Sequence, residues 1–131
     1  MSKILIIGAG AMGSAFSIPC LDNNHDVSII GTHLENDFID KLKNNKNLHP
    51  GLNTLLPTEI KISKFEKFDD IFKSNVDLIV LGISSKGIEW VSEQLSRVYK
   101  GKSIPNILML TKGLSIHDGN YELLIDKLLR I

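Results

Sequence analysis

The sequence predicts an α/β fold: a doubly wound, mostly parallel sheet in a single domain of 131 residues. Three observations carry that expectation. Apolar runs of strand length alternate with stretches of helical spacing along the whole chain, as βαβ units require. The run Ile4-Leu5-Ile6-Ile7 opens directly into Gly8-Ala9-Gly10-Ala11-Met12-Gly13, and a helical apolar pattern (Met12, Ala15, Phe16, Pro19, Cys20) follows. A later run, Leu78-Ile79-Val80-Leu81, is continuously apolar, as in a strand covered on both faces.

Taken in order, strands are expected near residues 3–7, 26–30, 59–62, 77–82 and 106–111. Helices are expected near 11–23, 33–44, 66–73, 86–99 and 119–130. The strand near 77–82 should occupy the sheet centre. Pro19 falls inside the first helix, removes one backbone hydrogen bond and should bend it. Tyr121, Leu124, Ile125 and Leu128 have helical spacing and should face the core. From Asn44 to Pro57 the chain is polar and carries two prolines and a glycine, which reads as a long connection of the kind that often serves function.

The spacing Gly8, Gly10, Gly13 is a G-x-G-x-x-G between a strand and a helix, so the fold is Rossmann-type and a dinucleotide is the expected occupant. The glycines permit a sharp turn, close approach of backbone to a pyrophosphate and tight packing of helix on sheet. The phosphates then meet a helix N-terminus, where unpaired N–H groups and the helix dipole favour anions. The second strand ends at Gly31-Thr32-His33, where such domains show which cofactor they take. An acid there would favour NAD and an arginine NADP, and neither is present. Glu35 has another task, because Thr32-x-x-Glu35 reads as a capping box. Thr32 and neighbouring helix N–H groups could instead face the ribose and tolerate a 2′-phosphate, so the cofactor is read as NAD(P), leaning toward acceptance of NADP.

Two further turns should lie at the carboxyl edge of the sheet, where ligands bind in open α/β folds. Gly82-Ile83-Ser84-Ser85-Lys86-Gly87 should face the nicotinamide half, with Ser84 either a site residue or the start of a helix, and Trp90 as packing. Thr111-Lys112-Gly113-Leu114 follows what reads as a buried strand, so the Lys112 ammonium could pair with a substrate phosphate or hydrogen-bond a reacting oxygen. His49 lies in the polar connection with nothing nearby in sequence to orient it, which argues against catalysis.

Fifteen basic and fifteen acidic residues cancel, which removes the electrostatic footprint of a nucleic-acid binder. No apolar run approaches the roughly 18 residues of a membrane span, and a strand begins at Lys3 without space for a signal peptide, so a cytoplasmic protein is expected. A single cysteine, Cys20, excludes an intrachain disulfide and should be a buried thiol.

Four segments together resemble the N-terminal cofactor domain of the NAD(P)-dependent glycerol-3-phosphate dehydrogenases. They are Gly8 to Ala15, Leu48-His49-Pro50-Gly51 with Leu56-Pro57, Val80-Leu81-Gly82-Ile83-Ser84-Ser85, and Thr111-Lys112-Gly113-Leu114. The first is shared by many dehydrogenases; its combination with the second and fourth is more specific. The resemblance implies hydride transfer between a nicotinamide and carbon 2 of glycerol 3-phosphate or dihydroxyacetone phosphate, a small phosphorylated substrate. By matched position, Gly8, Gly10, Ala11, Met12 and Gly13 would cradle the pyrophosphate, Thr32 would lie at the adenosine ribose and Ser84 near the nicotinamide. Lys112 would be the lysine that contacts both cofactor and substrate. Two positions depart from the family: Ile83 stands where a proline is usual, and Met12 where an aromatic residue is frequent. The family's C-terminal helical domain, which brings the proton-handling lysine and most of the substrate pocket, is not among these residues. The chain therefore reads as the cofactor-binding part of such an enzyme, inactive or nearly so alone, with a homodimer left open. A ketopantoate-reductase-like enzyme and a non-catalytic dinucleotide sensor are the competing readings.

Overall fold

The structure, a computed structural model, describes residues 1–130. Strand β1 (Lys3–Ile7) leads into helix α1 (Ala11–Asp22), followed by β2 (Asp26–Ile30) and α2 (Asn36–Asn44). A small antiparallel ladder, β3 (Leu48–His49) with β4 (Thr54–Leu55), precedes β5 (Lys61–Ser63). The second half runs α3 (Phe68–Ile71), β6 (Leu78–Leu81), α4 (Ile88–Val98), β7 (Asn106–Met109), β8 (Leu114–His117), β9 (Asn120–Leu123) and α5 (Leu124–Arg130). Single tight turns of helix at Phe65–Lys67 and Ser85–Gly87 lead into α3 and α4.

Five strands form one parallel sheet in the order β5-β2-β1-β6-β7. Strand β1 is therefore the central strand, and β6, expected at the centre, lies one place to its side. The chain leaves β1 in one direction for β2 and β5 and returns past it to β6 and β7, so the topology reverses between β1 and β6. Alternation along β1 sends Ile4 and Ile6 to one face and Leu5 and Ile7 to the other. Ile4 and Ile6 meet Val27, Ile29 and Val80 beneath Cys20 of α1 and Ile39 and Leu42 of α2. Leu5 and Ile7 meet Ile30, Ile79 and Leu81 beneath Phe68, Ile88, Val91 and Leu95. Both faces are covered, which is why these strands read as continuous apolar runs. Cys20 is buried as expected, and that burial pushes its thiol pKa up.

Several boundaries shift for local reasons. A turn closed by the Ile60 N–H on the Pro57 carbonyl occupies the residues expected to begin β5. Residues expected to begin α2 form a turn instead, with the Glu35 N–H on the Thr32 carbonyl at 3.0 Å. The polar connection folds on itself, helped by Lys46, Asn47 and Asn53 at positive φ, and buries His49 and Leu56.

The largest correction concerns residues 119–130. A helix was expected throughout, but its first part is strand β9, paired with β8 in a hairpin. Asp118 and Gly119, at φ 50° and 78°, make the left-handed two-residue turn that suits hairpin twist. Leu124 and Leu128 face the core as expected, whereas Tyr121 is 79% exposed and Ile125 36%. Strand β7 is also less buried than expected, with Leu108 38% exposed, because among the described residues nothing pairs with its outer edge.

Candidate functional site

The site is built where β1 and β6 end side by side. Gly8 has φ 108°, and a Cβ there would lie 2.5 Å from the Gly82 carbonyl oxygen. A Cβ on Gly13 would lie 2.9 Å from the Gly8 oxygen, and one on Gly82 2.9 Å from the Gly13 Cα. Three glycines thus let the exit of β1, the first turn of α1 and the exit of β6 touch backbone to backbone. Gly10 differs: its φ is an ordinary −67°, and a Cβ would meet nothing nearer than the Gly82 oxygen at 4.0 Å. The protein does not require a glycine there. A ligand lying close over the turn would.

Gly10 is the N-cap of α1 and brings no side chain to its N-terminus, and no acid stands in the first turn. The first bond made is the Ser14 N–H to the Gly10 carbonyl at 3.0 Å. The N–H groups of Gly10, Ala11, Met12 and Gly13 have no partner among the described residues, as at any uncapped helix start. They can bind an anion, and the helix dipole favours one.

Two adjoining clefts open over this turn. One, of about 520 Å³, is lined by Gly10, Thr32, His33, Leu34, Glu35, Gly82, Ile83, Ser84, Lys86, Gly87 and Trp90. The other, of about 430 Å³, is lined by Gly10, Ala11, Met12, Gly82, Ile83, Ser84, Ser85, Leu110, Thr111 and Lys112. Gly10, Gly82, Ile83 and Ser84 line both. Of the residues expected at the site, Thr32 therefore stands on the β2 side and Ala11, Met12 and Lys112 on the β7 side. Gly8 and Gly13 lie underneath and line neither. Trp90 packs on Phe65 with ring centroids 5.3 Å apart, as expected of a packing residue, but it also walls the first cleft beside His33 at 4.9 Å.

The β7 side is fastened by a side chain. The Thr111 hydroxyl donates to the Ile83 carbonyl at 2.7 Å, which ties the end of β7 to the turn after β6. Lys112 follows, exposed and beside Ser84 and Ser85, and Gly113 at φ 121° turns the chain away. Ser84 precedes the helical turn Ser85–Gly87, and its hydroxyl makes no capping bond.

The capping box expected at Thr32 and Glu35 is half formed. The Glu35 carboxylate accepts the Thr32 N–H at 2.9 Å, but the Thr32 hydroxyl accepts the Leu34 N–H at 3.3 Å and helix α2 begins only at Asn36. The Thr32 N–H is thus engaged rather than turned to the cleft. The same carboxylate reaches the Ala9 N–H, at 3.2 and 3.3 Å from its two oxygens, a contact sequence reasoning missed.

His49 was expected to lack an orienting partner and is instead held on both ring nitrogens. Nε2 stands 2.9 Å from the Ala9 carbonyl oxygen, and Nδ1 accepts the N–H groups of Gly51 at 3.1 Å and Leu52 at 3.3 Å. It is 2% exposed and lines neither cleft.

Comparison with known proteins shows the family of the chain and its fold. The family model of the NAD-dependent glycerol-3-phosphate dehydrogenase N-terminus matches residues 3–130. The NADP(+)-dependent glycerol-3-phosphate dehydrogenase of Archaeoglobus fulgidus is 31% identical over 117 residues, covering 89% of this chain and 33% of that protein. The glycerol-3-phosphate dehydrogenase [NAD(P)+] of Fusobacterium nucleatum is 33% identical over 117 residues, covering 87% of this chain and 32% of that protein. Among solved structures, glycerol-3-phosphate dehydrogenase from Coxiella burnetii superposes with a TM-score of 0.70 at 20% identity, over 87% of this chain and 33% of its own. The enzyme from Saccharomyces cerevisiae gives 0.71 at 19% identity, over 98% and 38%. The chain spans about a third of the length of the curated relatives it matches.

Proposed function

The chain belongs to the family of the NAD-dependent glycerol-3-phosphate dehydrogenase N-terminus, and from that premise we infer that its paired clefts are the cofactor half of an oxidoreductase using NAD(H) or NADP(H). The observation that supports this reading is Gly10, a glycine whose absent side chain leaves room beside four N–H groups that have no partner among the described residues. A pyrophosphate fits that combination, since it needs close backbone approach and donors but no cation. In this reading Gly10, Ala11 and Met12 bind the pyrophosphate from their backbone, while Gly8 and Gly13 hold the turn from beneath. The adenosine ribose extends toward Thr32, and the nicotinamide lies by Ser84 and Lys112.

When bound, the nicotinamide gives or accepts the hydride. The partner substrate in this reading is dihydroxyacetone phosphate or glycerol 3-phosphate, reacting at carbon 2. Lys112 is its catalytic residue in this chain: the ammonium offers three donors to a substrate phosphate or to the reacting oxygen beside the nicotinamide. Ser84 supplies a hydroxyl that no capping bond consumes.

Calorimetric titration of the 131-residue chain with NADH and NADPH tests the cofactor half. One site per chain is expected for at least one of them, with binding lost in Gly10→Leu while the circular dichroism spectrum stays unchanged. Absence of binding by the parent chain, or equal binding by the variant, would sink the reading.

A further inference from the structure

Ala9 is the middle residue of Gly8-Ala9-Gly10, and both of its backbone polar groups are held by side chains from distant segments. Its N–H donates to Glu35, which comes from the turn after β2. Its carbonyl accepts from His49, the last residue of β3, and also from the Ser14 hydroxyl at 3.1 Å. These groups belong to two successive peptide planes. Each plane is rigid and trans, so the orientation of one polar group fixes the other. Glu35 therefore sets the plane of the Gly8–Ala9 peptide, and His49, together with the Ser14 hydroxyl, sets that of Ala9–Gly10. With the Ala9 carbonyl drawn to His49, the Gly10 N–H must point to the opposite side, away from the β3–β4 connection.

We propose that His49 is a positioning residue for the dinucleotide: through the Ala9 carbonyl it aims the Gly10 N–H and so preorganises the anion-binding turn. The inference rests on the cofactor reading above. Three features separate it from ordinary core packing. His49 is buried with both ring nitrogens in use, and two backbone donors on Nδ1 dictate the neutral tautomer that carries its proton on Nε2, the form able to donate to Ala9. The ring is also braced by Phe38, with centroids 5.4 Å apart in an edge-to-face arrangement. Its own loop reaches the same turn, because a Cβ on Gly51 would lie 3.4 Å from the Ala11 Cβ and 3.1 Å from the His49 ring. The β3–β4 connection is thus a splint against the glycine turn, with His49 as its pin. Orientation lost from a preorganised anion site must be restored at the expense of binding, so affinity registers the loss.

Two substitutions divide the ring's functions. His49→Gln can keep an N–H near the Nε2 position and so the bond to Ala9, whereas His49→Asn can keep an acceptor near the Nδ1 position and so the bonds to Gly51 and Leu52. Calorimetry with NADH and NADPH, alongside thermal melting of both variants, gives the result. Binding by His49→Gln is expected within about threefold of the parent and by His49→Asn at least about tenfold weaker, whichever variant melts lower. Parent-like binding by His49→Asn, or equal weakening in both variants, overturns the inference and leaves the cofactor reading intact. A parent chain that binds neither cofactor overturns the cofactor reading itself. Should both variants fail to fold, the ring nitrogen shifts of His49 in the parent chain decide: an Nε2–H tautomer unchanged by NADH is expected, and an Nδ1–H tautomer overturns the proposal.

Discussion

Gly8 and Gly10 stand two positions apart in one motif and are glycines for different reasons. At Gly8 the backbone has φ 108° and faces the Gly82 carbonyl, so Gly8→Ala combines a strained dihedral with a contact at 2.5 Å that backbone cannot relieve. A loss of about 3 kcal/mol in unfolding free energy is expected by urea denaturation, and a loss under about 1 kcal/mol would contradict this account. At Gly10 an added Cβ meets only the Gly82 oxygen, at an ordinary 4.0 Å, and the cleft lies beyond, so Gly10→Leu should keep stability within about 0.5 kcal/mol while binding falls beyond detection. The motif's existence and the strand before it were legible in the sequence; this division of labour was not, since it depends on the approach of Gly82 from residues far along the chain. Glu35 shows the same limit. The local Thr32-x-x-Glu35 pattern invites a cap, and only the fold brings Ala9, 26 positions earlier, against that carboxylate. The place of Lys112 at the carboxyl edge of the sheet was legible, because a strand delivers the residues that follow it to that edge; its role there is a proposal.

Between residues 114 and 130 the outcome was decided by a turn. The stripe Tyr121, Leu124, Ile125, Leu128 satisfies a helical period, but His117-Asp118-Gly119-Asn120 carries the Asp-Gly pair that closes a hairpin, and that signal outweighs periodicity over the first part. The hairpin's pairing puts Leu114, Ile116, Tyr121 and Leu123 on one face, all exposed, whereas Leu124 and Leu128 of α5 are buried against α4 and the sheet. Substitutions should follow this division. Leu128→Ala is expected to remove about 2–4 kcal/mol, and Ile116→Thr no more than about 0.5 kcal/mol. Chemical denaturation of the two variants checks it; similar losses would mean that residues 119–123 pack as the periodicity implied. The five strands of the main sheet were read to within about two residues at each end, most cleanly β1 and β6, where burial on both faces writes itself as an unbroken apolar run; the short ladders β3–β4 and β8–β9 were not foreseen, nor was the strand order, since which run is central depends on crossover direction.

Over the whole molecule the response to pH follows from groups away from the clefts. Asp69, Asp70 and Glu122 are held below the usual carboxylate range, by hydrogen bonds from Arg97, Lys73 and, for Glu122, Arg130 ahead of Ser115. Depressed carboxylates stabilise above their unfolded pKa and lose that contribution as pH falls through their folded values, so this acid limb lies below about pH 4. Asp69 and Asp70 are exposed and screened, which keeps their share shallow, while Glu122 is half-buried beside Arg130. Burial pushes the Cys20 thiol above its usual 9.0 and the Tyr99 hydroxyl above its usual 10.0. Raised groups stabilise below their unfolded pKa and lose that contribution as pH rises through their folded values. The melting temperature is therefore expected to decline from about pH 9 upward, and a rise between pH 9 and 10.5 would contradict the assignment.

The clefts also bear on what the molecule can do unaided. The cleft that holds Lys112 is bounded by the turns after β1, β6 and β7, Lys112 itself is exposed, and the outer edge of β7 is unpaired among the described residues. A phosphorylated substrate met by one solvated ammonium is attracted weakly, because water screens the pair, and it is not oriented for transfer. The glycine turn and its splint, by contrast, are complete within this chain. Binding and turnover should therefore separate: the 131-residue chain is expected to bind NADH without dihydroxyacetone phosphate consuming its absorbance. In a longer protein that adds walls to the Lys112 cleft, turnover should appear and Lys112→Ala should lower kcat by about 100-fold or more, as removal of a charge from a closed, oriented site does. Steady NADH oxidation by the chain alone would mean that the two clefts already enclose the substrate, and undiminished kcat in Lys112→Ala would return that lysine to the solvated surface.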